Sequence, residues 1–426
     1  MIYSLEETFK VIESVYNQSS KLWVVKYSGG KDSSATLQLI LEFLNKKKND
    51  SRYLTKQIYI IMNDVLVDNP LMRKRVDKCI EMYKDFIKKY DLPVDIKILK
   101  PDIKETFWVK IIGYGYPPPT SKFRWCTDVL KIKPTHKFME DLGEKALVIT
   151  GERYSEGSTK RKLSMQKRAF NKYLAKAALG SITTFSPISQ WSTNMVWWYL
   201  LNPGNRWQND NEKLYELYKN ASGEDCPEDL PSLENIPCGN SRFGCWTCTV
   251  VSDDKSALSL INKGKKELAC LYNFRRRLKE YRQLQYRKNI RRNGEEGPGP
   301  IHKEFRRQLL EELLKLQKKT KFQVILPEEI AEIERIWTLE GLPPYIMEKV
   351  FKGELGTMGH IAKKDDELLK IVCKKAGVNV DIVRQVLAIE ADFYAKRKRY
   401  GIYKKIREIL ELGLKSETQA VKNSQL

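Results

Sequence analysis

Residues 22–33, LWVVKYSGGKDS, constrain the fold of this chain more than any other stretch. An apolar run of strand composition at residues 22–25 leads into a glycine loop, and residues 35–44 then place apolar side chains at helical spacing. Adjacent glycines let backbone N–H groups approach an anion, and the start of a helix adds unpaired amides and partial positive charge. The stretch therefore predicts a strand, a phosphate-binding loop and a helix, in that order.

The loop is not a Walker A motif, because that motif requires G-x-x-x-x-G-K-[ST] and here two adjacent glycines precede Lys-Asp-Ser. It resembles the PP-loop of ATP pyrophosphatases, which cleave ATP between the α and β phosphates. The resemblance implies that ATP and Mg²⁺ bind here, with catalytic roles for Lys31 and Asp32. The alternative is a glycine turn with incidental polar neighbours. The residues expected to hold the nucleotide are Ser28, Gly29, Gly30, Lys31, Asp32 and Ser33.

Apolar strands and helical stretches alternate after this loop. Residues 58–62 form a short apolar strand that ends at Asn63 and Asp64, and a helical stretch at 71–90 precedes another strand at 94–99. This alternation predicts an α/β fold with a parallel sheet. A carboxylate at the carboxyl edge of such a sheet can contact ribose or a magnesium ion, so Asp64 is a candidate nucleotide ligand; the alternative is that it caps the following loop.

Basic side chains come from two segments that flank the strand at residues 146–150. Arg124 and Lys131 precede that strand, and Arg153 and Arg161 follow it. Cations that meet at one sheet edge can neutralise a triphosphate and a second phosphate substrate, so we expect these four to stabilise charge in the reaction. Each of them could instead be a solvated surface side chain.

Five of the eight cysteines stand in turn-rich or polar surroundings, whereas Cys79, Cys270 and Cys373 lie in amphipathic stretches and are expected to pack as small hydrophobic residues. A C-x-x-C pair with further cysteines nearby can bind zinc or an iron–sulfur cluster, or can have a purely architectural role. A Cys-Pro pair, and histidines that all lie outside this segment, favour iron–sulfur. The candidate ligands are Cys126, Cys226, Cys238, Cys245 and Cys248.

Five cysteines compete for four positions in such a centre. We prefer Cys126, Cys226, Cys245 and Cys248 as ligands. Cys238 is then a substitute ligand or a free thiol that can carry a persulfide.

The chain has a formal net charge of +22, and residues 271–322 hold sixteen Lys or Arg against six Asp or Glu. We interpret residues 275–292 as one basic helix that includes two tyrosines, a mixture that suits the phosphates and bases of DNA or RNA. The alternative is a solvated helix face or a contact with an acidic protein. No apolar run approaches the length of a membrane helix, so we expect a cytoplasmic protein with no membrane contact.

Three regions follow from these patterns. We expect a PP-loop domain over residues 1–205, a cysteine-rich iron–sulfur insert over 206–265, and a basic helical region with a possible DNA contact over 266–426. The stretch NGEEGPGP at 293–300 is interpreted as a linker.

The loop, together with RWCTDVLKIKP, the G-x-R at residues 151–153 and FSPISQW, is similar to the phosphoadenosine-phosphosulfate reductase group of PP-loop enzymes. The later CGNSRFGCWTC and GPGP segments more narrowly resemble the DndC-like sulfurtransferases of DNA phosphorothioation systems. That resemblance implies a [4Fe-4S] cluster, ATP use, and replacement of a non-bridging oxygen of a DNA phosphate by sulfur. The implied partners are DNA, a cysteine desulfurase of the DndA or IscS type, DndD and DndE.

Two other functions share these features. A PP-loop enzyme that thiolates tRNA would need the same ATP site, cluster and basic surface, and a nucleic-acid-binding protein could retain the loop as a nucleotide sensor. A role in sulfate assimilation is disfavoured, because the reductases use a C-terminal cysteine and residues 415–426 contain none.

The choice of iron–sulfur over zinc can be tested on protein purified without oxygen. We expect a brown preparation that absorbs at about 400 nm, because charge transfer from cysteine thiolates to iron absorbs in this range. A colourless protein with stoichiometric zinc would overturn this assignment.

Overall fold

A computed structural model gives the arrangement of the chain. It describes residues 5–19, 21–50, 56–142, 146–155, 163, 166–176, 182–222 and 243–340, with isolated positions 370, 373, 379, 380, 383, 406 and 407. These residues divide into two compact units. Unit 1 takes Met1–Phe107, Pro117–Arg287 and Glu312–Val324, and unit 2 takes Trp108–Tyr116, Lys288–Glu311 and Ile325–Leu426. The expected boundaries at 205 and 265 stay predictions.

Six strands form one sheet. They are β1 (Leu22–Lys26), β2 (Ile58–Asn63), β3 (Val94–Leu99), β4 (Ala146–Ile149), β5 (Leu174–Lys176) and β6 (Thr183–Phe185). The ten helices described by name here are α1 (Leu5–Gln18), α2 (Lys31–Lys47), α3 (Pro70–Lys89), α4 (Lys133–Asp141), α5 (Thr193–Leu201), α6 (Gln208–Ser222), α7 (Lys255–Asn262), α8 (Ala269–Glu280), α9 (Lys303–Thr320) and α10 (Pro327–Leu339).

The sheet has the strand order β3-β2-β1-β4-β6-β5. All neighbouring strands run parallel except β5 and β6, which are antiparallel. Trp23 of β1 lies opposite Ile58 of β2 and Leu147 of β4, so β1 is central in the sheet. This confirms the expected α/β fold with a mostly parallel sheet. The short strands β5 and β6 were not expected, because three residues are too few to show a strand period.

Helices cover both faces of the sheet. Side chains of a strand point to opposite faces in alternation, so one strand can contribute to the core on each side. Trp23 and Val25 pack in a large core with residues of α1, α2, α3, α5 and α6. Val24 packs on the other face in a smaller core, against which Phe138 of α4 lies. Strand β1 is thus buried on both sides, and the loop that follows it emerges from the centre of the fold.

Unit 2 joins α10 to the wide helical turn Val109–Gly113. The buried Trp337 donates its indole N–H to the carbonyl of Ile112 at 2.9 Å. Arg306 of α9 donates to the carbonyl of Gly113. In none of the described helices is there an apolar stretch long enough to cross a membrane.

The interpretation of residues 275–292 as one helix is wrong. Helix α8 ends at Glu280, and the next helical turn, Leu284–Tyr286, is short. Arg282 lies outside both and donates hydrogen bonds to the carbonyls of Pro118, Pro119 and Thr249. These tertiary hydrogen bonds override the local helix preference of the sequence.

The interpretation of residues 293–300 as a linker is also wrong. This stretch folds back on the preceding residues as an irregular hairpin. Gly299 donates its N–H to the carbonyl of Lys288 at 2.7 Å, and Lys288 donates to Pro300 at 2.9 Å. The polar and glycine-rich composition therefore marks a turn in unit 2.

A buried amide network fixes α2, the helix that follows the loop. The side-chain amide of Gln38 donates to Tyr83 Oη at 3.2 Å and to Asn211 Oδ1 at 3.0 Å. Its oxygen accepts from Asn205 at 3.1 Å and from Asn211 at 3.0 Å. Gln38 is fully buried, so each of these hydrogen bonds replaces water that the site excludes. The network ties α2 to α3 and α6.

Replacing Gln38 by Leu should lower the free energy of unfolding by about 2–3 kcal/mol, because buried amides and a hydroxyl lose their partners. Gln18→Leu is the matched control, since Gln18 is exposed at the end of α1 and should cost less than about 0.5 kcal/mol. Urea unfolding followed by tryptophan fluorescence measures both. Equal losses in the two variants would contradict a stabilising role for the network.

Candidate active site

The loop between β1 and α2 has a conformation that requires glycine. Gly29 has φ of +77°, in the region that favours glycine, and a Cβ there would lie 2.2 Å from Val76 Cγ2. Gly30 is the N-cap of α2 and brings no side-chain cap hydrogen bond. A helix start of this kind offers first-turn amides to an anion, although the Lys31 N–H already donates to Tyr218 Oη at 3.5 Å.

Two serines brace the loop from within. The Ser28 and Ser33 hydroxyls lie 3.0 Å apart, and Ser33 Oγ accepts from the Ser28 N–H at 3.2 Å. Ser33 also donates to the carbonyl of Gly30 at 3.0 Å. The loop thus closes on itself before any ligand binds.

A buried ion pair anchors the loop to the end of the sheet. Arg153 is 1% exposed, and its Nε lies 2.7 Å from Asp32 Oδ1. Its other nitrogens donate to Ser155 Oγ, to the carbonyl of Trp191 and to Thr193 Oγ1. The guanidinium is therefore engaged with protein atoms and does not line the cavity described below. Its expected contact with a phosphate stays a prediction.

Lys31 stands beside this pair. Its Nζ lies 3.1 Å from Asp32 Oδ2 and 5.3 Å from the ring centroid of Tyr218. The side chain is buried, so its charge acts where water is scarce. A lysine held by a carboxylate and a ring at the start of a helix is well placed to contact a phosphate.

The backbone after β4 approaches the loop closely. A Cβ on Gly151 would lie 2.7 Å from the carbonyl carbon of Asp32 and 2.9 Å from the nitrogen of Ser33. Only a hydrogen fits between these backbones. The G-x-R motif thus places a glycine against the loop and an arginine on its aspartate.

These elements surround a cavity of about 450 Å³, large enough for a nucleotide. The loop residues Ser28, Gly30, Lys31, Asp32 and Ser33 line it. Both signs of charge occur in the remaining wall, which includes Lys26, Asp68, Arg73, Lys131 and Glu152. Burial raises the pKa of Asp68, Lys131 opposes that shift, and Asp64 adds to it.

Asp64 is not in the cavity wall. Its Oδ1 lies 2.6 Å from Arg73 Nη1 and accepts the N–H of Leu66 at 3.0 Å. Arg73 itself lines the cavity. Asp64 thus lies at the edge of β2 as expected, and it also fixes its own loop, which is the alternative role. Its role as a nucleotide ligand stays a prediction.

Three of the five candidate cysteines lie within electrostatic reach of one another next to this cavity. Cys126 and Cys248 both add to the pKa shift of Cys245, whose thiol lies 3.9 Å from Asp68 Oδ1. Burial raises the pKa of Cys245 to about 12, and Asp68 adds to the shift while Lys131 opposes it. Burial likewise raises the pKa of Cys126, and Cys248 adds to it. A thiolate here needs a cation to compensate it.

The expected iron–sulfur centre is not seen in the described part of the chain. There, no group of three or more His, Cys, Asp or Glu side chains is arranged to hold a metal ion. Cys226 and Cys238 lie outside the described residues. The thiols of Cys126, Cys245 and Cys248 are of the donor type that iron and zinc accept, but as placed they do not form a metal site, so the iron–sulfur centre stays a prediction.

The remaining predicted basic residues have different surroundings. Lys131 lines the cavity, whereas Arg124 is exposed and acts electrostatically on Cys126. Arg161 lies outside the described residues. Arg275 of the basic segment is 2% exposed and donates to the carbonyls of Cys248 and Val251, so it supports the C-x-x-C turn.

The sequence profile of the phosphoadenosine phosphosulfate reductase domain family matches residues 22–251, more than half of the chain. The chain belongs to this family. Proteins of this family use ATP and are enzymes of the ATP-pyrophosphatase type. An uncharacterized protein of Methanocaldococcus jannaschii is 28% identical over 262 residues, which are 61% of this chain. The match spans 42% of that relative's length.

Two solved structures show looser similarity. A phosphoadenylyl-sulfate reductase from Candida auris is 17% identical, with 49% of this chain and 93% of that one covered and a TM-score of 0.30. The U34-tRNA thiolase NcsA from Methanococcus maripaludis, solved with its [4Fe-4S] cluster, is 14% identical, with coverages of 66% and 81% and a TM-score of 0.30. Membership of the reductase family rests on the sequence profile.

Some wall residues of the reductase-family site were not expected from sequence. Tyr218 comes from α6, far from the loop in sequence, and Asp68 follows β2 and forms an isolated antiparallel bridge with Cys245. Phe243 and Gly244 also line the cavity, immediately before Cys245. The sequence did indicate Phe243 and Gly244, because both belong to the CGNSRFGCWTC segment that carries the family resemblance.

Gly151→Ala should weaken ATP binding at least about tenfold, because a methyl group at 2.7–2.9 Å from loop backbone must displace the loop. Gly204→Ala is the control: its Cβ would meet only the Asn202 side chain, at 3.1 Å. Calorimetric titration with a non-hydrolysable ATP analogue gives both affinities. Unchanged binding by Gly151→Ala would show that the loop does not require this close approach.

Proposed function

We propose that this protein is an ATP-dependent sulfurtransferase of the DndC type, which activates a DNA phosphate by adenylylation so that sulfur replaces a non-bridging oxygen. The observation that carries the proposal is that the cysteine segment adjoins the nucleotide cavity. Phe243 and Gly244 line the cavity, and Asp68 in its wall lies 3.9 Å from the Cys245 thiol. Nucleotide activation and sulfur chemistry would thus take place side by side.

The reaction begins with attack of a non-bridging DNA oxygen on the α phosphorus of ATP, and pyrophosphate leaves. The terminal sulfur of a persulfide then attacks the activated DNA phosphorus, and AMP leaves with the oxygen. A second thiol attacks the resulting sulfur–sulfur bond, which releases the phosphorothioate and forms a disulfide. Activation is required because an unmodified phosphodiester oxygen is a very poor leaving group.

The described residues divide these tasks. Backbone amides at the start of α2, with Ser28 and Ser33, would hold the phosphates. Lys31 and Lys131 would stabilise the charge that develops as pyrophosphate leaves. Asp32 keeps Lys31 in place through the contact at 3.1 Å, and Arg153 holds Asp32. Asp68, or Asp64 released from Arg73, would supply the carboxylate for Mg²⁺.

The proposal includes a [4Fe-4S] cluster on Cys126, Cys245, Cys248 and either Cys226 or Cys238. When bound, the cluster would organise this wall of the site and supply a soft centre for sulfur. The desulfurase would deliver sulfur to Cys238 if that thiol is not a ligand. DNA, DndD and DndE complete the proposed set of partners, and the net charge of +22 favours a polyanionic substrate.

Lys31→Met tests the ATP-dependent step. With ATP, Mg²⁺, DNA and the partner proteins, we expect release of AMP and pyrophosphate to fall about 10²–10³-fold, since one charge-stabilising donor is lost. Lys74→Met removes an exposed lysine of α3 and should leave the rate unchanged. If the wild-type protein released neither AMP nor pyrophosphate, a role as a nucleotide sensor would be favoured instead.

The substrate is tested in cells with and without the gene. Phosphorothioate linkages are cleaved by iodine, so DNA from cells with the wild-type gene should fragment and DNA from Lys31→Met cells should not. Intact DNA together with gene-dependent thiolated tRNA would overturn the DNA assignment and favour tRNA thiolation.

A further inference from the structure

A second cavity, of about 370 Å³, lies wholly within unit 2. The hairpin at residues 288–300, the start of α9 and the end of α10 contribute to its wall. Four cationic side chains and one carboxylate line it, with a tyrosine beside them: Lys288, Arg292, Lys303, Arg306, Glu340 and Tyr114. The ATP site contains none of these residues.

Among the described residues that line this cavity, the one carboxylate is already neutralised. Arg306 donates to Glu340 Oε2, and Lys303 donates to the Glu340 backbone carbonyl at 2.7 Å. The lining therefore retains an excess of positive charge after its internal pairing. An anion that entered would meet this excess without displacing Glu340 from its partner.

Arg306 is the most deeply buried cation of this lining. Its side chain is 2% exposed, and it donates to Gly113 and Glu340. Its Nε is buried and has no acceptor among the described residues. A buried charge in the wall of a cavity acts where water is scarce, so it adds to the attraction of this site for an anion.

The hairpin supplies two more cations at the rim. Arg292 donates to the carbonyl of Tyr114 and stacks over that ring at 5.5 Å from its centroid. Lys288 is exposed, and no described residue accepts a hydrogen bond from its ammonium group. A guanidinium held over a ring and an exposed ammonium in the same lining are groups suited to phosphate oxygens.

The start of α9 adds a further attraction. The helix begins at Lys303, next to the cavity wall, and runs for 18 residues. A helix of this length carries partial positive charge at its N-terminus. The cationic side chains of the lining and the helix terminus therefore both favour an anion.

We propose that this cavity binds a backbone phosphate of DNA and so anchors the substrate at a second point. The proposal rests on the proposed function only in taking DNA as the polymer. Exposed cations at the rim are accessible to a long chain, and the cavity volume exceeds what one phosphate needs, so an adjoining sugar also fits. A free inorganic phosphate shares the chemistry and is distinguished below.

The test is DNA binding by the full-length protein without ATP. Fluorescence anisotropy with two short DNA duplexes of unrelated sequence should show the Lys288→Gln/Arg292→Gln double variant binding both about tenfold more weakly. The slope of log K against log salt should fall by about 1, as for the loss of one phosphate contact. Arg291→Gln is the matched control, because Arg291 is exposed in the same hairpin but pairs with Glu295 at 3.3 Å and does not line the cavity.

Calorimetry with inorganic phosphate separates the two sources of the ligand. If the double variant lost phosphate binding but bound DNA like the wild type, the cavity would be a free-phosphate site and the proposal would be overturned. Equal effects of the double variant and Arg291→Gln would overturn it too, as would preferential loss of RNA binding. Iodine cleavage of cellular DNA reports on the proposed function separately, so failure here leaves that conclusion standing.

Discussion

The buried pair between Arg153 and Asp32 holds the candidate active site together. The arginine follows β4 and the aspartate begins α2, so one contact of 2.7 Å joins two elements that are 121 residues apart in sequence. Removal of Asp32 would leave the buried Arg153 charge without its carboxylate, which is costly where water is excluded. The neighbouring Gly151 lets the two backbones meet, and Lys31 takes its position from the same aspartate.

Local sequence patterns were sufficient for the centre of the fold. Strand β3 has the bounds expected from its apolar residues, and β1, β2 and β4 differ by one residue at their ends. The glycine loop has the expected strand before it and helix after it, and Cys79 and Cys373 are buried as expected. These features depend on residues close in sequence, and the periodicity of the apolar residues indicates which face is buried.

Features set by distant contacts could not be predicted in this way. Arg153 is expected to stabilise charge in the reaction, and the hydrogen bonds that it makes with Asp32 and with the carbonyl of Trp191 could not be predicted from the sequence. The basic segment read as one helix because no glycine or proline interrupts it, whereas Arg282 is held by carbonyls far upstream. Propensity cannot anticipate hydrogen bonds that exist only after the chain has folded. Arg161, Cys226 and Cys238 lie outside the described residues, so their roles stay predictions.

The side-chain amide of Gln38 fixes the rotation of α2 about the helix axis. Its nitrogen faces two acceptors and its oxygen faces two donors, so turning the amide over would set donor against donor in a dry interior. A twist of the helix about its own axis would break the same four contacts. The direction in which the N-terminal amides point is therefore fixed two turns away from the loop, by a side chain that does not line the cavity.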